Sequence, residues 1–143
     1  MHAERFSITE SPDPRDVKFL EDRIDAFNLS TTGITDVRLL AIFLRGVDHE
    51  IVAGLYGWTW GGCCEVKTLW IDESLRGRGL GTQLMRSAEA EARRRGATQM
   101  VLSTHSFQAP DFYRRLGFEI IAQVEEYPRG HQSIVLRKPL RPE

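Results

Sequence analysis

Arg76-Gly77-Arg78-Gly79-Leu80-Gly81-Thr82 is the most informative run of this chain. It follows an apolar run of strand character and opens an amphipathic helix. Glycine lets consecutive main-chain N–H groups turn toward one point with no side chain in the way. The start of a helix adds its own unpaired N–H groups and the positive end of its dipole. Together they form a cradle for a diphosphate, with Arg76 and Arg78 as supplementary charge. The plainer alternative is a glycine-rich turn that caps a helix and leaves its arginines in water.

Two common phosphate motifs are excluded by spacing. No lysine follows Gly81, so the Walker pattern fails, and the third glycine of a dinucleotide fingerprint would fall on Thr82. The pattern that fits is [QR]-x-x-G-x-[GA], with Arg76, Gly79 and Gly81 in the fixed places.

The bulk of the chain narrows the classes further. A length of 143 residues predicts a single domain spanning 1–143. A formal net charge of -1 disfavours a nucleic acid partner recognised by bulk positive charge. No apolar run reaches the length of a membrane span, and the first residues lack an apolar signal core, so no membrane partner and a cytoplasmic location are expected. Cys63 and Cys64 are adjacent and would point to opposite faces of a strand, which disfavours a bridge between them. Four scattered histidines without a ligand-spacing pattern give no metal signal.

Working outward, residues 5–9 alternate and predict a first strand, broken by Ser11-Pro12-Asp13-Pro14. Asp13 is a good N-cap with Pro14 at the first helical position, and residues 14–28 place Val17, Leu20, Ile24 and Phe27 on one helix face. Residues 30–33 read as loop. Residues 37–45, 51–60 and 63–71 are strands joined by tight turns, an antiparallel meander. The helix after the glycine loop covers residues 80–95, with Leu80, Leu84, Ala88 and Ala92 as its apolar stripe. Arg93, Arg94 and Arg95 read as a solvated, dipole-matched end, and Gly96 stops the helix. The strand at 98–104 follows by a crossover and should run parallel to 63–71. A short helix at 109–116 and a hairpin of 118–127 with 132–138 complete the chain.

The segment Ala109-Pro110-Asp111-Phe112-Tyr113-Arg114-Arg115-Leu116-Gly117-Phe118 carries a second motif, A-x-x-[FL]-Y-x-x-x-G-F. With the glycine loop and the element order, it resembles the GNAT superfamily of N-acetyltransferases over nearly the whole chain. The run Ser106-Phe107-Gln108-Ala109-Pro110 and the Trp58-to-Gly62 turn look like a subgroup of small bacterial members. The resemblance implies an α/β (mixed α+β) GNAT fold. Its central, mostly antiparallel sheet would have about six or seven strands, with the fourth and fifth parallel and helices on both faces.

It also implies an enzyme that moves an acetyl group from acetyl-CoA directly to the primary amine of a small molecule or peptide, with no metal. A homodimer is the family-level expectation. By the same resemblance, Leu69, Trp70 and Ile71 would pair with the pantetheine arm, where a free N–H would stabilise an oxyanion. Residues Arg76, Gly77, Arg78, Gly79, Leu80, Gly81 and Thr82 would bind the diphosphate. Ala109, Phe112 and Tyr113 would complete the cofactor site. The family often carries Asn three residues before the alanine. Ser106 stands there in this chain, and a hydroxyl would have to replace the amide.

The chemistry requires a neutral amine, and a lysine-like amine with a pKa of about 10.4 is mostly charged at pH 7. A carboxylate can take the proton, and Glu65, eleven residues before Arg76, is the leading candidate base. The alternative is that Glu65 pairs with Lys67 on the same strand face. His105 is a weaker candidate. Tyr113 matches the family tyrosine that faces the departing sulfur, and its phenol remains protonated at pH 7. Trp58, Trp60 and Trp70 share a parity and either line an acceptor pocket or join the core. Cys63 or Cys64 as an acyl carrier has no histidine partner evident from spacing. The competing functions are an acyl-CoA binding or sensing module without turnover, and an interaction scaffold. A different acyl donor such as succinyl-CoA also stays open.

Overall fold

The computed structural model describes residues 5–142. It divides into two compact units, one ending at Thr35 and one starting at Asp36. In the first unit, α1 spans Pro14–Thr32. The Asp13 carboxylate accepts from the Arg15 N–H at 2.9 Å, Pro14 sits in the first turn, and Gly33 ends the helix in the left-handed region at φ 69°. The Gly33 N–H donates to the Leu29 carbonyl at 2.9 Å. The helix therefore runs four residues past the expected end. Thr32 contributes by donating its hydroxyl to the Asn28 carbonyl at 2.8 Å while accepting from the Ile34 N–H. None of its residues is buried. The strand expected at residues 5–9 does not form. Phe6 and Ile8 are exposed, and an alternating pattern makes no strand without a partner edge to pair with.

The second unit is built on a six-stranded sheet: β1 (Arg38–Arg45), β2 (Ile51–Trp60), β3 (Cys63–Ile71), β4 (Gln99–His105), β5 (Glu119–Glu125) and β6 (Gln132–Pro139). Its order is β1-β2-β3-β4-β6-β5. Every pair is antiparallel except β3 with β4, which run parallel as the crossover through α2 (Leu80–Arg94) requires. The short α3 (Pro110–Arg115) links β4 to β5.

Period-two alternation sets the core. Ala53 and Leu55 of β2, Cys64 and Val66 of β3, Met100 and Leu102 of β4, and Ile134 and Leu136 of β6 are buried, together with Leu84, Met85, Ala88 and Ala92 of α2. Each fully buried leucine, such as Leu55 or Leu136, contributes about 2 kcal/mol by leaving water. Cys63 and Cys64 are both free thiols. Burial pushes the Cys64 thiol up to about 11, which removes it as a nucleophile at neutral pH.

The arginine run differs from its reading as a solvated end. Arg95 folds inward with its side chain only 12 % exposed. It donates to the Leu39 carbonyl at 3.0 Å, to Thr59 Oγ1 at 3.2 Å and to Glu91 at 2.9 Å. Arg93 donates to the Arg141 carbonyl at 2.9 Å. Of the three only Arg94 remains mostly in water. The run thus fastens the end of α2 to the sheet edge, a tertiary contact that helix periodicity does not reveal.

Candidate functional site

The site begins where β3 and β4 part. They pair over four rungs, from Cys63 opposite Gln99 to Val66 opposite Leu102. Beyond that, β3 continues against β2 as far as Ile71, and β4 continues against β6 as far as His105. The register supplies the cause. Gly57 stands opposite Val66 but Tyr56 stands opposite Thr68, so Lys67 is an extra residue in β3. Such a bulge bends a strand and increases its twist. It also breaks the alternation, so Lys67 does not continue the face of Glu65.

The parted strands open a cleft of about 1050 Å³. Its walls include Leu69, Trp70 and Ile71 from β3, Arg76, Gly77 and residues 79–82 from the loop and helix start, and Ala109, Phe112 and Tyr113 from α3. These were the expected cofactor residues, and the fold brings them together. Arg78 is exposed and does not line the cleft.

Gly77 and Gly79 lie in the left-handed region at φ 78° and 76°. Gly79 is the N-cap of α2, and no side chain caps this helix. The first-turn N–H groups at residues 80–82, which line the cleft, therefore have no acceptor within the helix and no capping side chain, the arrangement that favours an anion. Gly81 forms the floor, since a Cβ there would stand 3.1 Å from Phe112 Cζ and 3.3 Å from Ile71 Cδ1. Arg76 Nε donates to the Ile71 carbonyl at 3.2 Å, which keeps its guanidinium beside the loop. Asp72 caps the turn before it, accepting from the Ser74 N–H at 3.0 Å and from its hydroxyl. Those bonds hold its carboxyl below the usual range and give it a structural task.

Tyr113 is 8 % exposed and lines the cleft. Its ring packs edge-on against Phe112 at 5.0 Å and Phe118 at 6.0 Å. Burial pushes its phenol pKa up, so the hydroxyl stays a proton donor throughout the neutral range. Glu65 is half-buried in the paired part of β3, between Trp58 and Val101. It lies on the sheet face opposite the core, while Tyr113 packs into the core. Among the described residues no ion pair joins Glu65 to Lys67. Of the three tryptophans, only Trp70 lines the cleft.

Ser106 is not brought to the cleft. Its hydroxyl accepts from the Gln132 N–H at 3.0 Å and its own N–H donates to the Gln132 carbonyl at 2.8 Å, a clasp between β4 and the β5–β6 hairpin. The amide missing at position 106 is found two residues on. Gln108 lines the cleft, and its Oε1 accepts from the His105 N–H at 2.6 Å and from Thr104 Oγ1 at 3.2 Å. With the oxygen so engaged, its NH₂ is left to donate. Sequence reasoning passed over Gln108, although it lies beside the motif alanine. Lys67, Thr104 and Arg115 also line the cleft and carry no motif signal.

Residues 5–118 match the family model described as the acetyltransferase (GNAT) family. The chain belongs to the GNAT acetyltransferase family. It is similar to the blasticidin-S acetyltransferase of Streptomyces morookaense, with 37% identity over 119 residues, 78% of this chain and 85% of that protein. It is 32% identical to acetyltransferase Atu2258 of Agrobacterium fabrum over 133 residues, 93% of this chain and 97% of that one. A crystal structure of an acetyltransferase from Bacillus cereus superposes with a TM-score of 0.77 at 26% identity, covering 94% of this chain and 98% of that chain. This GNAT protein is thus an acetyltransferase with the mixed sheet of its family. Among the described residues, no helix is long and apolar enough to cross a membrane.

The loop of this GNAT domain makes a direct prediction. Gly79→Ala forces an L side chain into the left-handed region at about 1 kcal/mol, and its methyl meets no protein atom within 4 Å. Folding should survive, while the Kd for acetyl-CoA should rise about tenfold because the cradle amides no longer converge. Thermal melting and titration calorimetry measure the two effects separately.

Proposed function

We propose that this protein transfers an acetyl group from acetyl-CoA directly to the primary amine of a small molecule, releasing the coenzyme A thiol. The observation that carries the reading is the uncapped first turn of α2, opening on the cleft between the parted strands. The residues fit the coenzyme. Amides at 79–82 and the Arg76 guanidinium suit a diphosphate, and the free edges of β3 and β4 with Gln108 suit an amide-containing arm. Bound there, the coenzyme supplies an activated thioester. The name of the Streptomyces relative supports a small-molecule acceptor over a peptide.

Two residues carry the protons in this reading. Tyr113 donates from its phenol to the departing sulfur, since burial keeps the proton in place. The alkaline limb that reports it should lie above the ordinary phenol value of about 10, so kcat should not decline below that pH on account of Tyr113. Glu65 does not itself line the cleft, so in this reading it takes the proton from the amine through a water, from its place one rung before β3 and β4 part and with no ion pair to it among the described residues. Glu65→Gln is expected to lower kcat about a hundredfold and to leave the Kd for acetyl-CoA unchanged. Undiminished turnover in this variant would remove Glu65 from the mechanism. The function itself is tested by incubating the protein with acetyl-CoA and a panel of amines and reading free thiol. Acceptor-independent hydrolysis alone would contradict it.

A further inference from the structure

Four rings that the mechanism does not use form a connected wall that starts at the cleft with Phe107 and runs outward from it. Phe107 lines the cleft and is 56 % exposed. The His105 ring lies parallel to it, with centroids 5.4 Å apart and planes 3° from coplanar. Tyr127 continues beyond His105 at 5.4 Å, and His131 meets Phe107 edge-on at 4.9 Å. None of the four belongs to the core cluster.

The wall is held in place. His105 Nδ1 donates to the Tyr127 carbonyl at 3.1 Å, because a carbonyl can only accept. The Tyr127 N–H donates to the His131 carbonyl at 3.2 Å, and the Ser106–Gln132 clasp ties the two strands below. Exposed rings fixed in this way offer a flat π surface at little ordering cost to a ligand. The tip of the β5–β6 hairpin, residues 125–131, carries Glu125 and Glu126 against a single Arg129. That balance favours an approaching ammonium over an anion.

We propose that this wall is the acceptor subsite, and that it selects primary amines carrying a planar aromatic or heteroaromatic ring. The ring of the acceptor stacks beside Phe107 and against His131, and its amine reaches along the cleft toward Tyr113. The proposal rests on the acetyl-CoA-dependent amine reading above and adds the class of acceptor to it.

The test compares 2-phenylethylamine with 2-cyclohexylethylamine, matched in reach but differing in planarity, and with spermidine as a ringless amine. Acetyl-CoA binding is first measured by calorimetry. The expected result is a kcat/KM for the phenyl amine about tenfold or more above that for the cyclohexyl amine, with spermidine poorer still. His131→Ala should raise the KM for the phenyl amine severalfold and leave the Kd for acetyl-CoA unchanged. Equal use of the three amines by a protein that binds acetyl-CoA overturns the subsite and leaves the transferase reading standing. So does a His131→Ala variant that folds, binds acetyl-CoA and keeps the same preference. Failure to bind acetyl-CoA at all overturns the underlying reading instead.

Discussion

Alanine at position 57 is expected to cost the protein about 3 kcal/mol or more and to abolish turnover. A Cβ on Gly57 would stand 2.0 Å from the Glu65 carbonyl oxygen, 3.0 Å from its carbon and 3.1 Å from Val66 Cα. All three are main-chain atoms of β3, so no rotamer change relieves the contact. The strands must move apart by more than 1 Å, or the bulge at Lys67 must be lost. Overpacking against flexible side chains costs about 1–3 kcal/mol, and a rigid backbone obstacle belongs at or beyond the upper end. A fall in Tm of roughly 10 °C follows for a chain of this size. Gly130→Ala is the control without a close contact. It puts an L residue in the left-handed region (φ 82°), a strain Gly57 does not carry, but its methyl meets nothing within 4 Å, so the loss should stay near 1 kcal/mol. Equal melting of the two variants would refute the close approach. Activity should fall in the Gly57 variant even at temperatures where it remains folded, because the same contact sets where β3 leaves β4.

Tyr113→Phe should lower kcat about a hundredfold with little change in stability or in the Kd for acetyl-CoA. The ring keeps its edge contacts with Phe112 and Phe118, so packing is preserved. The substitution removes only the hydroxyl, from a ring that lines the cleft. The proton donor to the leaving thiolate is lost while the binding surface stays. Steady-state rates across thiol acceptor traps and calorimetry of coenzyme binding separate the two quantities. A variant with undiminished kcat and weakened binding would make Tyr113 a packing contact.

Much of this could be read from the residues. The meander, the crossover and the cradle follow from local chemistry: turn glycines, period-two runs and a helix start without a capping side chain. The bulge did not, because Glu65-Val66-Lys67-Thr68 keeps a plausible alternation and only Gly57, on another strand, betrays the break. Residues 5–9 misled for the converse reason, having the pattern of a strand but no edge to pair with. That Gln108 lines the cleft and Ser106 does not depends on how the turn after β4 is clasped by Gln132, a contact between segments 26 residues apart. The hairpin near Pro128–His131 reads from sequence as a segment that would choose the acceptor, but its ring contacts with the end of β4 do not, because no spacing rule links them.

In the proposed reading, main-chain amides at the start of α2 grip the diphosphate of coenzyme A. This grip is tested most directly by following backbone amide resonances of the uniformly labelled protein as coenzyme A is added. Saturable shifts led by Gly79, Leu80, Gly81 and Thr82 are expected, weakened in the Gly79→Ala variant. Saturation with those four amides unmoved, or no saturable shift at millimolar ligand, would contradict it.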